Sequence, residues 1–487
     1  MVNRIHNLQS AIHERQSARR GAILILVLWL VLILSLIGLS YSSTVRTGII
    51  ITGNRANKVK ARYYAKAGIE RTINELLTLQ DGYYSEISGF YNDETRFANQ
   101  PIGDGSFSLL TGRRDEQGLP IYGITDETSR LNLNSANEEA LLSFPEITTE
   151  MSDSLLDWRD TDWETRLEGS EDDYYEMLDD PYLCKNRSLQ TIGELLFVRG
   201  WTSVEVFGED ANGNNRLDKN EDDGDLSPPL DDADGELDTG LASFFTLYSR
   251  DRELNPDNET RLDLNSATQE QLQGIEGMTE TQARSIVAWR SQQKFASLAD
   301  LFNVTEAQQD SSSGQSSGKS SLRSSSMRTS SARESPTRST LKSSKSKQTQ
   351  PTSSQSSQQA RTVFTYEQVA RVADWLCVST EDKRNRININ TAPFEVLMTL
   401  PGMTEDLANE IVTRRQSAVG AFTRRGDLRE VNGMTEQIFR GLLDYITVQS
   451  YQFRIVAEGR EGDTKTVIEA VVDLASSPSK ILYWREL

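Results

Sequence analysis

Histidine is almost missing from this chain. Of 487 residues only His6 and His13 carry an imidazole, and both precede the first apolar run, so the remainder has none. This removes Ser/His/Asp and Cys/His catalysis and histidine-ligated zinc. Cysteine is as scarce. Cys184 and Cys377 set no disulfide framework, and two separate, partly buried thiols are expected. Positive charge is short too: 52 Lys and Arg face 72 Asp and Glu, a net charge of -20 that repels nucleic acid unless a basic surface is segregated. One segment does segregate it. Residues 310 to 361 hold nine Lys or Arg and two acids in a serine-rich background, which cannot bury a core and reads as a flexible linker.

Charge is also absent from Gly21 to Val45. Ala22 to Leu39 is nearly all aliphatic, and at about 1.5 Å per residue it nearly matches a hydrocarbon core of about 30 Å. Arg4, Arg15, Arg19 and Arg20 precede it against a single Glu14. The positive-inside rule therefore keeps the N-terminus cytoplasmic and exports the rest. A secretory signal is the competing reading, but Ser40-Tyr41-Ser42-Ser43 fits its small-residue cleavage motif poorly.

Beyond the span, Ile69, Ile73, Leu76 and Leu77 keep helical spacing, so one long amphipathic helix is predicted to about Leu79 despite Gly48, Gly53 and Gly68. Residues 82 to 127 and 451 to 474 alternate as strands around Gly, Asp and Pro turns, and KILYWREL adds another. Strands at both ends of the exported region predict an α+β fold: one sheet interrupted by a large helical insertion. Inside the insertion a gapless 30-residue repeat occurs three times, from Arg130, Arg261 and Arg386. Ser135 with Glu138, and Ser266 with Gln269, read as capping boxes, with Thr391 as the third cap. A Pro-Gly or Glu-Gly turn follows, then a second helix from Thr279 or Thr404. These are helix-hairpin-helix (SAM-like) repeats. Each has a follower, beginning near Ser188, Lys294 and Ala421, that suggests a second hairpin.

Such hairpins can hold a DNA phosphate on backbone amides. Most copies here have one glycine where a tight phosphate turn needs two, Glu146 replaces it in the first, and the surroundings are acidic. A protein-interaction scaffold is the simpler reading, and no nucleic acid partner is expected.

DANGNNRLDKNE, 210 to 221, fits a twelve-residue calcium loop. Asp210, Asn212 and Asn214 supply side-chain oxygens, Arg216 its carbonyl, Asp218 a direct or water-mediated oxygen and Glu221 a bidentate carboxylate. Asn215 replaces the turn glycine, and asparagine tolerates that left-handed conformation. The bound calcium would be structural. Residues 204 to 238 hold thirteen acids and two bases, so a solvated acidic stretch is the alternative, and it is the better reading for Asp232, Asp234, Glu236 and Asp238.

The order of basic leader, glycine, apolar helix, amphipathic extension and β-region resembles type IV pilins and the pseudopilins of type II secretion. In that class prepilin peptidase cuts after the glycine, which Gly21 and Ala22 match, and the new N-terminus is methylated. The usual fifth mature residue is glutamate, thought to pair with a neighbouring subunit's amine; here it is Leu26. A carboxylate in hydrocarbon is costly unless paired, so its absence fits a subunit with no partner above it. The chain is similar to the general secretion pathway protein K family, the minor pseudopilins K, in several stretches. They include Val27-Leu28-Trp29-Leu30, Asp126-Glu127 before Leu131-Asn132-Leu133-Asn134, Asp157-Trp158-Arg159-Asp160, Pro181-Tyr182 with Lys185-Asn186, Glu194-Leu195 to Val198-Arg199-Gly200, and Leu482-Tyr483-Trp484-Arg485-Glu486.

The resemblance implies a pilin-like body carrying the helical insertion. It implies a non-enzymatic subunit at the tip of the secretion pseudopilus, with minor pseudopilins I, J and H as partners, anchored in the inner membrane with its bulk in the periplasm. Family members bind calcium in the exported part. The organisation expected is a leader at 1–21, transmembrane and extended helix at 22–80, β-part at 81–129 and a first helical module with the acidic loop at 130–254. A second hairpin module at 255–308, the linker at 309–361, a third module at 362–446 and closing strands at 447–487 complete it. The alternative function is a membrane-anchored DNA receptor of the competence type.

Overall fold

The computed structural model describes residues 2–79, 88–114, 119–212, 217–307, 361–381, 383–417, 420–475 and 478–487. Helix α1 runs Val2–Leu76, uninterrupted because no proline occurs before Pro101. Large apolar side chains from Ile25 to Val59 are exposed. The part beginning at Ile25 includes a stretch long and apolar enough to cross a membrane. From Ala61 onward the helix buries one stripe, Ala61, Ala65, Ile69, Ile73 and Leu76, the spacing of a single helical face.

That stripe lies on a sheet formed from both ends of the chain beyond the apolar span. Strands β1 (Gln100–Ile102), β2 (Gly105–Arg114), β3 (Pro120–Tyr122) and β4 (Thr125–Asp126) precede the insertion. Within it lie two-residue strands β5 (Leu131–Asn132), β6 (Phe245–Thr246), β7 (Leu262–Asp263), β8 (Leu376–Cys377), β9 (Ile387–Asn388) and β10 (Ile446–Thr447). After it come β11 (Gln452–Glu461), β12 (Thr464–Asp473) and β13 (Lys480–Glu486). The large sheet is antiparallel in the order β1-β2-β11-β12-β13, with β3 on β2 and β4 on β11. The expected single interrupted sheet is thus present. Helix and sheet meet closely at two glycines: a Cβ on Gly459 would stand 1.9 Å from the Ala61 carbonyl oxygen, and one on Gly68 would stand 2.5 Å from the Phe107 ring. Gly68 therefore serves packing, at the small cost a helical glycine carries.

The insertion is three units, each closed by a parallel strand pair: β5 with β6, β7 with β8, β9 with β10. Residues 361 to 377 belong to the second unit, because Thr305 bridges Thr362, the Gln282 amide donates to the Val363 carbonyl at 3.1 Å, and β8 closes on β7. The described residues on either side of the serine-rich stretch, which lies outside them from 308 to 360, therefore both belong to that unit. Units two and three share a buried ion network. Arg386 donates to Asp251 at 2.7 Å and to Glu253 at 2.6 Å, and Arg261 reaches Glu253 at 2.6 Å. Arg425 adds a buried 2.8 Å pair with Asp374. One apolar core runs through all three units. Cys184 and Cys377 are buried free thiols in the first and second units, and burial pushes each up to about 12, so neither is a reactive thiolate.

Asp126 and Glu127 pin the insertion to the sheet. Asp126 accepts from Thr391 at 2.6 Å and Asn388 at 3.0 Å, while Glu127 accepts from Arg454 on β11 at 2.7 Å. The other end of β11, Glu461, pairs with Lys60 on α1 at 2.6 Å. The units therefore stand at the end of the sheet away from the apolar span.

Candidate functional site

Gly21 and Ala22 lie on α1, with their side chains outside the described ones. Leu26 is 66% exposed, among neighbours as exposed and as apolar as itself. This length of helix packs against no other element among the described residues, so its apolar surface is available to lipid or to other helices.

The three hairpin units are built by the same two devices. The arginine ending each repeat turns back onto the start of its own unit. Arg290 donates to the carbonyls of Leu264 and Ala267, Arg415 to those of Ile389 and Ala392, and Arg159 to those of Leu133 and Ala136. The asparagine at the fifth repeat position clasps the follower through both its oxygen and its nitrogen: Asn134 to Leu189, Asn265 to Phe295, Asn390 to Phe422. The followers are short 3-10 helices, Ile192–Phe197, Leu298–Asn303 and Arg425–Glu430.

The first-helix caps fall two residues later than expected. Asn137, Thr268 and Pro393 hold the cap positions. The side chains of Asn132, Asp263 and Asn388 first turn the chain by accepting the amides of residues 134, 265 and 390. Ser135 and Ser266 then bond back to residues 132 and 263, and Thr391 is held by Asp126. The second-helix caps Thr148, Thr279 and Thr404 stand where the repeats put them.

Gly277 and Gly402 take positive φ, 90° and 69°, whereas Glu146 at the same position of the first copy does not. Several of the hairpin amides are used within the fold. Those of Ile147, Met278 and Met403 close the turns onto Phe144, Ile275 and Leu400, and the cap hydroxyls accept those of Met151, Gln282 and Leu407. The arrangement serves packing between hairpins.

The acidic loop partly converges. Among its expected ligands, Asn214 and Arg216 lie outside the described residues. The Asn212 amide donates to Asp218 at 2.9 Å and to Glu221 at 3.3 Å. Asp210 and Glu221 are buried. Burial, then the nearby charges of Asp210 and Asp218, push the Glu221 carboxyl above its usual range, the expected result of crowding acids in a poorly solvated loop. A hard cation would relieve this, and the donor set of carboxylates and amides suits calcium. Asp232, Asp234 and Asp238 instead turn the chain locally, each side chain accepting the amide two residues on, that of Glu236 among them.

Sequence reasoning missed a second group of oxygens. Asp157, on the helix Thr149–Arg159, is fully buried, and burial and then Asp160 push its carboxyl up to about 6. Glu171 is buried beside it with neither carboxylate oxygen partnered among the described residues, as is the Asn186 side-chain oxygen. Burial, then Asp157 and Asp160, raise Glu171 too. Asp157, Asp160 and Asn186 stand in stretches quoted above only for their family likeness. Their separation along the chain hid the convergence. Among the described residues no three Asp, Glu, His or Cys side chains are gathered to ligate a metal by themselves, so a cation at either place would need amide or backbone oxygens as well.

The class of molecule is defined by these parts: a membrane-anchored helix laid on an antiparallel sheet, which carries tandem helix-hairpin-helix units. Residues 257–309 and 382–447 match the helix-hairpin-helix motif. Residues 129–206 match the family model of type II secretion system (T2SS), protein K. This stretch of the first unit is similar to that family's domain, in line with the resemblance to minor pseudopilin K. No curated protein matches the chain. The crystal structure of the GspK-GspI-GspJ complex from the enterotoxigenic Escherichia coli type 2 secretion system contains a similar chain. It has 10% identity and a TM-score of 0.41, over 90% of this chain and 99% of that one.

Proposed function

We propose that the chain is the minor pseudopilin at the tip of a type II secretion pseudopilus, a non-enzymatic assembly subunit for protein secretion across the outer membrane. The observation that carries this reading is the position of the insertion. Asp126 holds the third unit through Asn388, and Glu127 holds the first through Thr246, at the end of the sheet opposite the apolar span, where the insertion would obstruct any subunit added above. The protein K domain at 129–206 and the exposed apolar helix carrying Leu26 support it. Helix α1 packs among sister helices, and the absent carboxylate at Leu26 removes a group that would need a partner amine in hydrocarbon.

In this reading prepilin peptidase cuts between Gly21 and Ala22, the N-terminus is methylated, and minor pseudopilins I, J and H are the partners. The anchor lies in the inner membrane with the bulk periplasmic. Calcium is held by Asp210, Asn212, Asn214, Arg216, Asp218 and Glu221, with Asp157, Glu171 and Asn186 as a second position. Its role is to neutralise crowded carboxylates and order the excursions. The DNA-receptor alternative has the hairpin amides used within the fold and the net charge against it.

The test is the mass of the N-terminal peptide from membranes of a host containing prepilin peptidase. A chain beginning at methylated Ala22 is expected; an intact Met1 start would overturn the pseudopilin route.

A further inference from the structure

Three equivalent arginines open the three repeats, and their surroundings differ. Arg261 and Arg386 are neutralised by the buried pair Asp251 and Glu253. Arg130 stands at the same repeat position, half-buried, and makes no ion pair among the described residues. It is crowded by Arg454 and Arg113, and burial together with Arg454 pulls its basicity down to about 10. The acids nearby are already engaged, since Arg454 takes both Glu127 and Glu469. Even so, Arg454 keeps one buried guanidinium nitrogen without a partner. Arg113 is also without an ion pair among the described residues, with Glu395 acting on it only at a distance.

These three guanidinium groups line one cavity of about 670 Å³ between β2, β11 and the first unit. Its lining joins an apolar part, including Leu110, Ile121, Ile192, Phe244 and Val456, to a polar part that carries Arg485 and the acids Asp210, Glu236, Glu395 and Glu469. Clustered guanidiniums in a poorly solvated wall repel one another unless an anion joins them. Arginine's planar fork suits a carboxylate. The acids in the lining disfavour a doubly charged phosphate, and its apolar part favours a ligand with a hydrophobic body.

We propose that this cavity binds an organic carboxylate carried on an apolar group, the chemistry of a peptide chain end with a hydrophobic side chain. Arg130 and Arg113 hold the carboxylate, Arg454 supplies its free nitrogen, and the walls take the apolar body. The site stands apart from the tip reading, and either can fail without the other.

The test is calorimetric titration of the full chain in detergent with 4-phenylbutyrate, its amide and inorganic phosphate. Saturable binding of the carboxylate is expected, at least tenfold weaker in Arg130→Gln and weaker in Arg113→Gln, with no binding of the amide. Arg130→Gln removes a repelled cation, so its thermal midpoint should not fall. Should it fail to fold, Arg113→Gln at the exposed mouth carries the comparison. No saturable binding, equal binding by the folded variants, or phosphate binding as tight as the carboxylate would each overturn the proposal.

Discussion

The third hairpin unit passes from β9 to β10 between Ile387 and Thr447, whereas the first runs from Leu131 to Thr246 to close the same way. Both keep the returning arginine and the clasping asparagine. The extra length of the first lies in two excursions, one around residues 160 to 187 and one from 208 to 240. Each holds carboxylates where solvation is poor: Asp157 and Glu171 in one, Asp210 and Glu221 in the other. The third unit contains no such group among its described residues and packs its own hairpins directly. The comparison separates a frame common to the units from attachments, found in the first unit, that crowd buried carboxylates.

The largest effect should come from the frame. Glu253→Gln leaves Arg261 and Arg386 short of a buried partner and should cost about 3–5 kcal/mol in denaturant unfolding; a cost near zero would mean that the network contributes nothing to the frame.

Next is a pH effect confined to the first unit. Asp157 has its folded value raised to about 6, so the folded state holds a proton that the unfolded chain releases near 4. Calcium-free protein should therefore lose stability as pH rises from about 4 to 6, by at most about 3 kcal/mol. Asp157→Asn should flatten that slope, and a slope unchanged in the variant would remove Asp157 as its source.

Calcium should act on the same unit. Added to chelator-treated protein at about a hundred times its dissociation constant, it should stabilise by about 2.7 kcal/mol and protect amides around residues 160 to 240 from exchange. Protection in 386 to 447 should not change. Glu221→Gln and Glu171→Gln, made separately, should each reduce the gain; protection spread evenly over all three units would break the distinction.

Smallest is the clasp itself. Asn390→Ala removes two hydrogen bonds in a buried setting and should cost about 2 kcal/mol, while half-buried Asn134→Ala should cost about 1 kcal/mol. Equal costs in thermal unfolding would show that burial does not grade the device.

Much of this frame was legible because its signals are local. The apolar run, the period-two strands of 451 to 474 and the repeats with Thr279 and Thr404 as caps depend on neighbours within a few residues. What escaped reading depends on long-range contact. The return of residues 361 to 377 into the second unit requires β8 to find β7 across more than a hundred residues. The shift of the first caps from Ser135 to Asn137 follows from turns made by Asn132, Asp263 and Asn388, whose side chains and carbonyls hold the amides two to four residues on in a turn and delay the helix. Glu171 and Asn186 became meaningful only when the fold brought them beside Asp157.

The central claim, that this subunit terminates the filament, is tested most directly by locating it. Pseudopili assembled with a tag on the exported C-terminal strand and imaged with bound antibody should carry label at one end only. Label repeated along the shaft would contradict the account.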